Sequence, residues 1–284
     1  MFGEEVLAPQ GRRIHSLPMR VWTVLVVALG AFLSGCATVP ETGRRQVMLL
    51  SPNQEAAMGL SAFAEIKDEE EISDDEIANA RVQRVGRRIA ESVGRDLPNA
   101  DWEFVVFESD ELNAFALPGG KVGVYTGILK IAETDAELAA VMGHEIAHVS
   151  SRHGAERTSQ QLLVLGGALL TEVGMEAKDV SQENRELVRA AYGLGTTVGV
   201  MLPYSRLHES EADAIGLRFA AGAGYDPRAA ISFWRKMAAA NKGEDSVPEF
   251  LSTHPSDDTR IKNLELLMPK YLPLYEQSRA KFGN

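Results

Sequence analysis

The chain has 284 residues, 45% of them hydrophobic and 24% charged, and a formal net charge of −11. That length supplies one sizeable core, and the acidic balance argues against a nucleic-acid footprint, which needs a basic face. The single cysteine, Cys36, rules out an intrachain disulfide.

Arg12, Arg13 and Arg20 precede a continuous apolar run from Val21 to Leu33. Thirteen residues fall short of the roughly 20 a spanning helix needs. A basic region, an apolar region and then small residues make a secretory signal. The run ends in LSGC, which resembles a bacterial lipobox, with Cys36 placed to become the first mature residue and to be lipidated. An ordinary signal peptide with a buried thiol is the alternative. Two acyl chains on one residue would hold the protein at a membrane surface. Ala37, not Asp, follows the cysteine, which in Gram-negative lipoproteins points to the outer membrane rather than the inner. Met19 is an alternative start. The division expected is a signal peptide over 1–35, a tether over 36–50 and a single domain over 51–284.

SPNQEAAMG opens a helix, with Ser51 as its cap, Pro52 at its first position and Gln54 completing a capping box. KDEEEISDD reads as a solvated acidic loop, within which Ser73 and Glu76 repeat the box and start a second helix, ended by Gly94 and Pro98. DWEFVVFES reads as a strand, NAFALPGG as the approach to a turn, and KVGVYTG as a second strand. Thr134 and Glu137 form another capping box, and the helix beyond it contains HEIAH. The Gly-rich apolar pieces Leu162 to Leu170 and Ala191 to Leu202 are too short to span a bilayer and read as buried or membrane-facing helices. A helix runs from about Leu207 to Ala221, another begins at Asp226 and Pro227, and TRIKNLELLMPKY makes the last. The sum is a predominantly helical α+β domain with a small sheet beside the HEIAH helix.

Residues four apart share one face of a helix, so His144 and His148 can point at one ion while Leu138, Met142, Ile146 and Val149 bury the helix. Glu145 can reach a water on that ion without binding the ion. A catalytic zinc takes three protein ligands and keeps one open position. Glu209 and Asp213, again four apart, suit a third ligand and an acceptor for the free nitrogen of a ligand histidine. With Glu211 beside them, they also suit a solvated acidic face. His153 points off the ligand face and reads as a residue behind a ligand or at the surface rather than as a ligand.

HEIAH followed by ESEAD resembles the zinc metallopeptidases (gluzincins) of the CAAX-prenyl-protease and HtpX type, over about Gln46 to Leu267. NAFALPGGKVGVYTGIL matches the strand segment ahead of that family's zinc helix. TGRRQ matches its periplasmic lipoprotein branch, whose BepA-like members add a helical repeat domain that is not expected here. The resemblance implies one zinc per chain, Glu209 as third ligand, Asp213 behind a ligand, and a quality-control role on unfolded or misassembled envelope proteins.

Four residues, His254, His208, Arg260 and Tyr204, are candidates for an oxyanion donor, and His254 also for a latch over the zinc. The strand Lys121, Val122, Gly123, Val124 and Tyr125 is expected to offer an edge to an extended peptide, or else to be plain sheet core. The favoured function is a lipid-anchored zinc endopeptidase at the periplasmic face, with Glu145 as general base. The competing function is a zinc-stabilised chaperone or assembly scaffold, which a firm fourth ligand would favour. A metal enzyme acting on cell-wall peptides is weaker, since no glycan-binding module is evident.

Overall fold

The structure, a computed structural model, describes residues 36–39, 41–240, 249–254 and 258–282. The signal-peptide reading of residues 1–35 and the modification of the Cys36 side chain lie outside the described residues. The chain divides into two units, Met1–Cys36 and Ala37–Asn284.

Residues 36–50 do not form a loose tether. Cys36–Thr38 (β1) and Arg45–Val47 (β2) make a two-stranded sheet. Val39, Gln46 and Met48 are buried. The Gln46 amide donates to the Ser151 carbonyl at 2.6 Å, and the Leu49 N–H to Ser159 Oγ at 2.9 Å. The segment is bolted down because Val39 and Met48 are buried and the Gln46 amide and the Leu49 N–H find buried acceptors.

Helix α1, Pro52–Glu69, has the predicted Ser51–Gln54 box. Helix α2, Glu76–Val93, is capped by Asp75 rather than Ser73, its carboxylate accepting from Ile77 and Ala78 N–H. The Ser73 hydroxyl instead donates to Glu108 at 2.6 Å. Val82, Val85, Ile89 and Val93 turn one apolar stripe of α2 into the core, and Gly94 ends it at φ 51°.

A three-stranded sheet follows: β3 Glu103–Phe107, β4 Ala114–Leu117 and β5 Lys121–Tyr125, in the order β3-β5-β4. β5 runs parallel to β3 and antiparallel to β4. The stretch read as a turn approach is therefore mostly the strand β4, and the turn is confined to Pro118, Gly119 and Gly120, the two glycines at φ 96° and 86°. The expected substrate strand needs correcting too. Lys121, Val122, Gly123, Val124 and Tyr125 form the central strand, buried throughout and paired on both sides, so their backbone is not open to a peptide. The outer side of β3 takes bonds to and from Glu71 and Ser73. Among the described residues, the outer side of β4 has no strand partner.

Short helix α3, Thr126–Ile131, leads to α4, Asp135–Ser150, with the Thr134–Glu137 box at its start. α4 is buried from Glu137 through Ala147 and packs on β4, α2, and two later helices, α7 (Leu202–Gly222) and α8 (Ala229–Ala240). Between them, α5 (His153–Ala177) and α6 (Gln182–Thr196) form an antiparallel pair that reaches α7 through a π-helical turn, Thr197–Met201. The Gly-rich apolar pieces lie on this pair and the π-helical turn, and they are not buried: Leu165, Leu169, Leu170, Leu194 and Val198 are exposed. No helix among the described residues is long and apolar enough to cross a membrane. The short α9, Glu249–Thr253, and the long α10, Asp258–Arg279, complete the fold, α10 packing on α7 and α8. The predominantly helical α+β architecture is as predicted.

Candidate metal centre

Helix α4 puts His144 and His148 one turn apart, with their Nε2 atoms 3.1 Å from each other. Helix α7 crosses it closely enough that Glu209 Oε2 lies 3.3 Å from His144 Nε2, and Glu209 Oε1 3.4 Å from His148 Nε2. His254, just past α9, adds a fourth donor: its Nδ1 is 3.2 Å from His144 Nε2 and 2.9 Å from Glu209 Oε2. These four donor atoms all lie within 4.8 Å of one another. Zinc–nitrogen bonds of about 2.0–2.1 Å would set the donors of a tetrahedral site roughly 3.3 Å apart, so the spacing suits such an ion. Glu209 Oε1 is buried and accepts no hydrogen bond, an orphan that a cation would satisfy.

The site is built to hold positive charge. Burial and the Arg260 charge work against protonated His144, yet the hydrogen bonds to Asp213 and Glu209 prevail and raise it to about 9. A proton thus sits where a cation would serve the two carboxylates. Burial and the neighbouring His144 push His148 well below its ordinary value. Burial opposes ionised Glu209, but the surrounding histidines hold it far below the carboxylate range. Glu145 differs: burial raises it. Its Oε1 is buried without a hydrogen-bond partner, 3.6 Å from His254 Nε2.

Asp213 lies behind His144, with Oδ1 3.0 Å from the ring's Nδ1. An Nδ1–H donated there leaves Nε2 free for an ion. Arg260 donates to the same oxygen at 2.6 Å and stacks on Trp234, its guanidinium 3.5 Å from the ring centroid. Of the candidate donors, Arg260 is thus committed to Asp213 and Glu209, 3.3 Å away. The structure does not bring His208 or Tyr204 to the cluster. His208 points Nε2 at Glu156, 2.9 Å away, and Tyr204 sets its ring against His208.

Residues 76–267 match Peptidase family M48. The chain belongs to that family. It is 33% identical over 235 residues to the mitochondrial metalloendopeptidase OMA1 of Schizosaccharomyces pombe, covering 82% of this chain and 66% of that one. It is 32% identical to the metalloendopeptidase OMA1 of Bos taurus, over 84% of this chain and 47% of the relative. To the beta-barrel assembly-enhancing protease of Escherichia coli (strain K12) it is 28% identical, over 89% of this chain and 51% of the other. The chain thus spans about half to two thirds of the length of these relatives. Membership in M48 meets the expectation of a metallopeptidase and of the family resemblance.

Three features of this M48 site go further than the sequence reading did. First, α4 and α7 meet backbone to backbone: a Cβ on Gly216 would lie 2.8 Å from His144 N, and one on Gly143 2.9 Å from Gly216 O. Glycine inside a helix costs about 1 kcal/mol against alanine, so Gly143 next to His144 was a signal available in the sequence. Second, Glu211 is not a solvated acid but is 5% exposed. Third, His153 reaches back to His148: their Nδ1 atoms are 2.9 Å apart. A continuous helix would have kept them apart, but the chain breaks at Arg152, in the left-handed region at φ 57°. Arg152 is held there by Glu55 and the Leu50 carbonyl.

Proposed function

We propose that this M48 chain is a zinc endopeptidase that cleaves unfolded or misassembled proteins of a bacterial envelope, held by lipidated Cys36 at the periplasmic face, on the outer membrane. The observation that carries the peptidase reading is Glu145: a buried carboxylate with an uncommitted oxygen, beside three donors of the right kind and spacing. A closed structural site has no use for such a group. His144, His148 and Glu209 would hold one zinc ion, which supplies Lewis acidity toward water and a carbonyl oxygen. Glu145 takes the proton from the attacking water and passes it to the leaving amine. Its raised pKa suits both halves of that transfer.

Substrate would add to the outer side of β4, which packs beside α4, rather than to β5. Main-chain pairing reads backbone more than side chain, which suits extended segments of many sequences. The envelope setting draws its support from the LSGC sequence and from similarity to a beta-barrel assembly-enhancing protease. Nothing in the charge favours nucleic acid as a partner.

The scaffold reading has one observation behind it: His254 supplies a fourth donor. In the peptidase reading, His254 is instead a latch on the open position. Both readings meet one test, digestion of an unfolded model protein at equal zinc content. Cleavage by the chain, lost on Glu145→Gln by about 10²- to 10⁴-fold and increased by His254→Ala, establishes the latched peptidase. No cleavage by the chain or by His254→Ala, with zinc bound, leaves the scaffold.

A further inference from the structure

We propose that Arg44 is a positioning residue of the metal site, acting through Glu211 and His153 to decide which nitrogen of His148 is free for the ion. The inference rests on the metal reading above.

The proton accounting starts at His148. Its Nε2 faces the other donors, so to bind there it must place its proton on Nδ1 and donate it. The atom at 2.9 Å from that Nδ1 is Nδ1 of His153, which must then accept. A neutral imidazole has one N–H. His153 can accept at Nδ1 only if its own proton sits on Nε2, which is 3.0 Å from Glu211 Oε2. Ionised Glu211 accepts only, so it selects this tautomer. The opposite one would turn the His153 proton onto His148 Nδ1 and send the His148 proton into the cluster, against a cation.

Arg44 is what holds the Glu211 carboxylate aimed at His153. Its Nε and Nη2 donate to Oε2 at 3.0 and 2.9 Å, and the Thr42 hydroxyl donates to Oε1. Glu209 and Glu211 are two apart on α7 and so face different sides. Glu209 faces the donor cluster, and Glu211 faces the segment that begins six residues after Cys36. The same guanidinium also grips Glu156, at 2.8 and 2.7 Å, and Glu156 accepts from His208. This second arm is a built-in control, because the other nitrogen of His208 has no hydrogen-bond partner and meets no metal donor.

The test measures zinc affinity of the full chain by chelator competition, with thermal melting of the metal-free protein and the imidazole proton–nitrogen spectrum of His148. Glu211→Gln can donate to His153 and so permits the wrong tautomer. It is expected to lower zinc affinity about 10- to 100-fold and to move the His148 proton off Nδ1. Glu156→Gln shares the ion-pair network and is expected to leave affinity and tautomer near those of the parent while lowering the melting temperature to a similar extent. Arg44→Lys keeps the charge but loses the planar fork, and is expected to follow Glu211→Gln. Equal loss of affinity in the two Gln variants would reduce the network to a structural role and overturn the proposal. So would parental affinity in Glu211→Gln or in Arg44→Lys. If the parent chain itself bound no zinc, the metal reading would fall first and this inference with it.

Discussion

Asp213 receives two donors, His144 Nδ1 at 3.0 Å and Arg260 at 2.6 Å, and all three groups are buried. Asp213→Ala would leave the Arg260 charge without its closest carboxylate and release the tautomer of His144. We expect zinc affinity about 10- to 100-fold weaker, together with a lower melting temperature. An unchanged affinity would show that the carboxylate has no part in holding the ligand. Glu156 sets a pH dependence away from the ligands. Burial opposes its ionised form, but hydrogen bonds from His208 and Arg44 prevail and hold its carboxyl at about 2, below the ordinary 4.5. A carboxylate depressed on folding stabilises above its unfolded pKa, and that contribution is lost as pH falls through the folded value. The melting temperature should therefore drop as pH falls from about 4.5 to about 2, and drop less steeply in Glu156→Gln. Equal slopes would mean that other acids set the acid limb.

Between elements, the decisive contact is the crossing of α4 and α7 at Gly143 and Gly216. The absent side chains let the two backbones approach, and that approach lets Glu209 on one helix meet His144 and His148 on the other. Gly216→Ala would gain about 1 kcal/mol of helix propensity but would place a Cβ 2.9 Å from His144 Cα, a backbone atom that cannot swing aside. Overpacking of this kind costs about 1–3 kcal/mol. We expect the steric cost to prevail: a lower melting temperature and weaker zinc binding. A melting temperature that rises, with zinc affinity kept, would show the crossing to be looser than its geometry. The central place of β5 follows from the same scale. Lys121 to Tyr125 alternate like a half-exposed strand, yet they are covered on both faces and paired on both edges.

Across the whole molecule, His144, His148, Glu209 and His254 tie together α4, α7 and the segment after α9. An ion bound only by the folded chain stabilises it by about 4 kcal/mol at a thousandfold excess over Kd. Chelation should therefore lower the melting temperature by several degrees and readdition of zinc should restore it; insensitivity to both would mean that no ion is held there. Much of the centre was legible in the chain itself. HEIAH, the Glu209–Asp213 pair and the Ser51 and Thr134 caps are spacings of three or four residues, and helical geometry converts such spacings directly into shared faces and closed caps. Other features depend on positions far apart in the chain. His144 meets His254 across 110 residues, and Arg44 meets Glu211 across 167. The break at Arg152 that returns His153 to His148 depends on Glu55, 97 residues earlier. Local periodicity carries no information about such distances. Packing sets them, once the helices and the sheet share one core.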